Sequence, residues 1–139
     1  MEKMAYFPRI ALGGALYCLI EVLWRGYSHV SMFLVGGFCF WMLSRIGRLL
    51  RPFWQRAVLG AVAVTAVEFL SGLLLNRVLR LGVWDYSAYR FNLLGQICLL
   101  YFLLWIPLCA AGILLNQGLD RLCLHQAALR PSRRRGEAL

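Results

Sequence analysis

The chain has 139 residues, 61% hydrophobic and 15% charged, with a net charge of +9 and a mean hydropathy of +0.67. Soluble domains average about 45–50% apolar and about 25% charged residues. Here the apolar excess comes in runs, which excludes a soluble globular domain and predicts an all-α integral membrane bundle. The positive charge gathers at Arg45, Arg48, Arg51 and Arg56 and again at Arg130, Arg133, Arg134 and Arg135. No recognition motif or aromatic platform accompanies it, so it excludes nucleic acid as a partner and points to anionic lipid at a basic loop and a basic tail.

A transmembrane helix needs about 20 apolar residues, and four segments approach that length. The first covers residues 7–24. Lys3 and Arg9 ahead of an apolar run resemble the start of a signal peptide, but Glu21 interrupts the region where cleavage would fall, so an uncleaved first span is expected. The second, residues 28–44, is short. A segment "RIGRLLRPFWQR" follows, split by Pro52 and partly amphipathic, suited to the membrane surface. The third span covers residues 57–75. The fourth covers residues 91–115 and contains Pro107, which kinks a helix or frees a carbonyl.

Four spans put both termini on one side. Eleven of the fifteen Lys and Arg residues lie in the terminal regions and the middle loop. Arg25, Arg77, Arg80 and Arg90 lie in the other two loops. The positive-inside rule makes both termini cytoplasmic in a multi-pass protein of the cell membrane, with the stretch "WDYSAYRFN" facing outward. Residues 1–124 then form a four-span transmembrane domain and residues 125–139 a basic, disordered cytoplasmic tail.

Ionisable groups in lipid cost about 2.5–3.5 kcal/mol each on insertion scales, so those inside the spans carry information. Glu21 and Arg25 are spaced i,i+4, which suits a structural ion pair at the outer interface or an outward-facing charged site. Glu68 has no partner nearby in sequence. Thr65, Gly72 and Asn76 share its helix face, a polar stripe that must meet another helix, another subunit or water. Glu68 is therefore either a protonated packing residue or a proton or ligand site. Asn92 and Gln96 are i,i+4 at the start of the fourth span. The outer half thus collects Glu21, Arg25, Glu68, Asn76, Asp85, Asn92 and Gln96, while the cytoplasmic half reads as almost purely apolar. Trp84, Tyr86 and Tyr89 fit an aromatic belt. Asp85 and Asn92 are not explained by a belt, and with Trp84, Tyr86 and Ser87 they are read as the rim of an outward polar pocket floored by Glu68.

The five cysteines show no disulfide framework, and Cys123 with His125 is too sparse for a metal site. No cofactor is expected. Without a nucleophile–base pair or a metal-ligand spacing, no enzymatic activity is expected either.

One segment carries a more specific pattern. "VEFLSGLLLNRVLRLGVWDYSAYRFNLLGQICLLYFLLW", residues 67–105, has an acid and a glycine in one span (Glu68, Gly72). W-D-Y-S follows (Trp84, Asp85, Tyr86, Ser87), then F-N-x-x-G-x-I-C-L (Phe91, Asn92, Gly95, Ile97, Cys98, Leu99) and Trp105. With Glu21 and Arg25 this resembles the membrane-protein family described as Putative ABC-transporter type IV. That family also carries a Gly/Pro-rich, Cys-Pro-type stretch around the second span. This chain reads "VGGFCFWML" there and lacks the proline. The resemblance implies a transport setting. The chain has no G-x-x-x-x-G-K-[ST] motif, so any ATPase would be a separate partner protein. Four helices hardly enclose a pathway, which makes a homo-oligomer the expected form of a transporter or channel, or of a membrane subunit of one. The alternative is a structural or accessory membrane protein whose polar residues only tie helices and subunits together.

Overall fold

The computed structural model describes residues 5–129. Its elements in chain order are α1 (Tyr6–Arg25), α2 (Val30–Ile46), α3 (Phe53–Gly72) continuing into a π turn (Leu73–Val78), β1 (Asn92–Leu93), β2 (Ile97–Cys98) and α4 (Leu99–Leu129). Three helical segments, Tyr6–Arg25, Phe53–Val78 and Leu99–Leu129, are long and apolar enough to cross a membrane, and α2 is a shorter apolar helix of 17 residues.

Local chemistry marks the ends of these helices. Gly26, at φ +83°, caps α1 by returning its N–H to Val22, a left-handed position that favours glycine. His29 caps α2, with Nδ1 accepting from the Ser31 N–H at 3.2 Å. Pro52 precedes α3, where its missing N–H costs the helix nothing.

The helices form two hairpins. In the first, α1 and α2 lie close because glycines on each helix take side chains or backbone of the other: Gly13 faces Phe40, Gly14 Phe33, Gly36 Tyr17 and Gly37 Ile10. A Cβ on Gly37 would stand 2.5 Å from the Ile10 carbonyl oxygen, and one on Gly14 would strike the Phe33 carbonyl. In the second, α3 runs beside α4, and α2 touches both. The core lies among α2, α3 and α4 and is built from Cys39, Leu43, Ala61, Val64, Cys109 and Ile113. Only 17% of the apolar windows of α1 and α4 is buried inside the bundle. The remaining apolar surface has no cover within the chain, as expected of helices that face lipid.

One end of the bundle carries the long segment between α3 and α4 and is called here the loop end. The other carries the short α2–α3 connection and is the hairpin end. The segment that the sequence assigns to the start of the fourth span belongs to the loop. α4 begins at Leu99, eight residues later than expected. Phe91 (φ +55°), Leu94 (φ +52°) and Gly95 (φ +70°) all adopt positive φ, which no helix accommodates. Between them β1 pairs antiparallel with β2, Asn92 opposite Cys98 and Leu93 opposite Ile97. Asn92 and Gln96 therefore do not share a helix face. At its other end α4 runs on to Leu129, through the position where the sequence reading starts the tail. The remainder of the tail, with Arg130, Arg133, Arg134 and Arg135, lies outside the described residues, as does Lys3.

Candidate functional site

Polar side chains collect at three levels of the bundle. The largest group is at the loop end and starts from Asn76. The π turn breaks the α-helical hydrogen-bond period: the Leu79 N–H bonds back five residues to the Leu74 carbonyl at 2.9 Å. Widened turns of this kind re-aim side chains locally. Asn76 Oδ1 accepts the Val83 N–H at 2.7 Å, and its Nδ2 donates to Gln96 Oε1 at 2.8 Å. Gln96 Nε2 donates to the Leu94 carbonyl at 3.0 Å. Trp84 is buried and sends its indole N–H to the Gln96 carbonyl at 2.9 Å. Gly72 makes room beneath, since a Cβ there would stand 2.5 Å from Gln96 Oε1 and 3.0 Å from the Trp84 ring. Val83 and Trp84 pack on Met32 of α2, closing the loop onto the bundle.

The rest of the loop folds on itself. Asp85 is exposed, and its Oδ1 accepts the Ser87 N–H at 2.9 Å. The Ser87 N–H and hydroxyl hold its carboxyl below the usual carboxylate range. Asn92, also exposed, donates to the Tyr89 carbonyl at 2.7 Å and accepts the Gly95 N–H at 3.1 Å. The Tyr86 N–H reaches the Gly95 carbonyl at 2.7 Å. A Cβ on Gly95 would stand 2.8 Å from Asp85 Oδ1. Tyr86 stacks on Tyr101 with ring centroids 4.6 Å apart, and Tyr89 meets both rings edge-on. Burial raises the Tyr86 phenol pKa well above its ordinary value.

Glu21 and Arg25 anchor this loop to α1. The ion pair expected from their spacing is present at 3.1 Å, and the Ser28 hydroxyl donates to the same Glu21 oxygen at 2.9 Å. Arg25 also donates to the Val83 carbonyl at 2.9 Å and lies over the Tyr27 ring.

The second level is Glu68. It is 4% exposed, and its Oε2 accepts the Trp105 indole N–H at 2.9 Å. Trp105 in turn stacks on Tyr17 of α1, centroids 5.9 Å apart. The partner that sequence proximity did not supply comes from α4. Nearby on α3, the Thr65 hydroxyl is buried without a hydrogen-bond partner. Asp85, Ser87 and Asn92 make their bonds within the loop rather than to Glu68, and Trp84, Gln96 and Gly72 fill the space at the loop's base.

The third level corrects the expectation that the half assigned to the cytoplasm from the sequence is almost purely apolar. At the hairpin end Arg9, 2% exposed, donates to Asn116 Oδ1 and pairs with the Asp120 carboxylate. Asn116 Nδ2 donates to the Phe40 carbonyl at 3.2 Å and the Gly112 carbonyl at 3.0 Å. Arg48 reaches the other Asp120 oxygen at 3.4 Å. This cluster ties α1, α2, α4 and the α2–α3 connection together. Sequence reasoning used Arg9 only as a charge marking one side of the membrane. Its one available signal was an arginine within an apolar run.

Among the described residues no group of three or more His, Cys, Asp or Glu side chains is placed to hold a metal. Residues 12–128 match the family model described as Putative ABC-transporter type IV. No curated protein and no solved structure matches the chain. Most of the pattern residues of that family noted in the sequence belong to the first two levels: Glu68 with Trp105, Gly72 beneath Trp84, and Asp85, Ser87, Asn92 and Gly95 within the loop.

Proposed function

The chain belongs to the family described as Putative ABC-transporter type IV, and from that premise we propose that it is a membrane-spanning subunit of a transport assembly. Its polar residues hold helices and loop in place and do not themselves carry cargo. The observation that carries this reading is Glu68, 4% exposed and bonded to Trp105, one turn before Gly72, against which Trp84 and Gln96 of the loop pack. A buried carboxyl with a fixed donor from the neighbouring helix is built for assembly.

In this reading all four helices span the cell membrane and both termini are cytoplasmic, so the loop end faces outward. The protein is not an enzyme and works as a homo-oligomer. Anionic lipid sits at Arg45, Arg51 and the basic tail, and any ATPase is a separate chain.

A second reading makes Glu68 the acid of an ion or proton pathway. The unpartnered Thr65 hydroxyl, one turn before it on the same face, favours this. One pair of variants separates the two. Glu68→Gln keeps an oxygen for the Trp105 indole, and Glu68→Leu does not. If Glu68 is a tie, Gln holds the thermal midpoint near wild type and Leu lowers stability by about 2 kcal/mol, because the indole N–H is left unmade. Proteoliposomes then hold an imposed pH gradient equally well with wild type and Gln. Collapse of that gradient by wild type, abolished by Glu68→Gln, replaces the first reading with the second.

A further inference from the structure

α4 is longer than the bundle it belongs to. Its 31 residues extend about 46 Å at 1.5 Å per residue, against about 30 Å of hydrocarbon. Arg9, in the first turn of α1, meets α4 at Asn116 and Asp120. The last turns of α4, residues 121–129, therefore run on past the start of α1. Cys109, Ile113 and Asn116 mark the buried side of α4. Leu108, Leu115, Leu122 and Leu129 recur every seven residues, moving from the flank of that side at Leu108 to its opposite at Leu129, and are 41%, 42%, 60% and 67% exposed. Between them lie Ala111, Gly118 and His125, and a Cβ on Gly118 would meet nothing within 4 Å.

Lipid covers Leu108 and Leu115 without help. Leu122 and Leu129 stand beyond the Arg48–Asp120 pair, where water replaces lipid and exposed leucine is driven to find cover. A seven-residue repeat continuing across that boundary is the period of a left-handed coiled coil. Two copies in one membrane have the same orientation, so their α4 helices meet in parallel, each leucine beside its twin, in a closed two-fold pair. Ala111 and Gly118 let the backbones approach. Along the flank Arg121 comes opposite Gln126 of the second copy, so no like charges meet there. The four leucines leave on the order of 400 Å² open per copy. Full cover of these four on both copies accounts for about 800 Å², against the ~1,200 Å² at the small end of specific interfaces.

We propose that this outward leucine face of α4 is the surface through which two copies of the chain pair in parallel. The inference rests on the membrane-spanning reading and adds the occupant and the contact residues of the proposed homo-oligomer. The test counts photobleaching steps of the full chain, labelled by an N-terminal fluorescent fusion, in dilute phosphatidylcholine–phosphatidylglycerol vesicles. Gly118→Phe places a ring where the chain itself has open space, so it breaks only a contact between copies, and Leu122→Arg charges the aqueous part of the seam. Leu70→Phe, on the exposed face of α3, is the control. Wild type and Leu70→Phe are expected to bleach in two steps, and Gly118→Phe and Leu122→Arg in one, all with the same helical circular dichroism. Single-step bleaching of wild type, or two-step bleaching of Gly118→Phe, overturns the interface. A chain that does not enter vesicles overturns the membrane reading itself and the interface with it.

Discussion

The two ends of the bundle are held by different chemistry. At the loop end, apart from the half-buried Glu21–Arg25 pair that anchors it to α1, neutral amide and indole groups bond to backbone carbonyls and N–H groups, mostly over short sequence separations: Asn76 to Val83, Trp84 to Gln96, Asn92 to Gly95. At the hairpin end a buried charge, Arg9, is met by Asn116 and Asp120 from the far end of the chain. A neutral network can be loosened one bond at a time, each worth about 1 kcal/mol. A pair built on a buried charge fails more abruptly, because loss of Asp120 leaves Arg9 charged and out of water.

The hairpin end is therefore expected to give the largest effect. Asp120→Leu should cost about 3 kcal/mol in unfolding titrations in bicelles, since it leaves the buried Arg9 with only Asn116. Arg9→Met with Asp120→Leu should recover most of that loss, as apolar replacement of a whole pair usually does. No recovery in the double variant would mean that Asn116 and the packing around Arg9 hold this end rather than the charge pair. Asn76→Leu comes next. It strands the Val83 N–H and Gln96 Oε1 together and should cost about 2 kcal/mol. The loss should be read as faster amide exchange over residues 83–96, with the hairpin end unchanged. If protection is lost equally at both ends, the two ends are one cooperative unit and the contrast between them dissolves.

The smallest effect belongs to Asp85. Its folded pKa lies below the ordinary aspartate value, so its contribution is fully present above that ordinary value. The contribution fades as pH falls through the lower folded value. Acid should loosen the 85–87 turn in wild type, followed by local protease nicking. Asp85→Asn, which keeps an acceptor oxygen, should remove the pH dependence.

The ease of reading each end from sequence follows the same division. The helices were legible because lipid demands uninterrupted apolar runs, and the Glu21–Arg25 pair because i,i+4 spacing needs no tertiary information. "FNLLGQICLL" was not. Its apolar content reads as helix, while Asn92 and Gly95 three residues apart form a turn that positive φ at Phe91 and Leu94 enforces. The N-x-x-G spacing was the available signal, and hydrophobicity outweighed it. Arg9 and Asp120 are 111 residues apart, and nothing local in either segment indicates the other. Asp85 and Asn92 stood out because a polar residue in an aromatic collar invites a ligand. The structure gives their side chains to the loop's own backbone.

The π turn of α3 has a consequence for how this chain tolerates changes in length. A π turn is an α-helical turn holding one surplus residue. Removing one residue from Leu73–Leu75 would restore an ordinary helix and relieve its geometry, yet it would swing Asn76 away from Val83 and Gln96. The segment is thus one where the more regular backbone is the worse protein, and where losing a single leucine should do more harm than exchanging it.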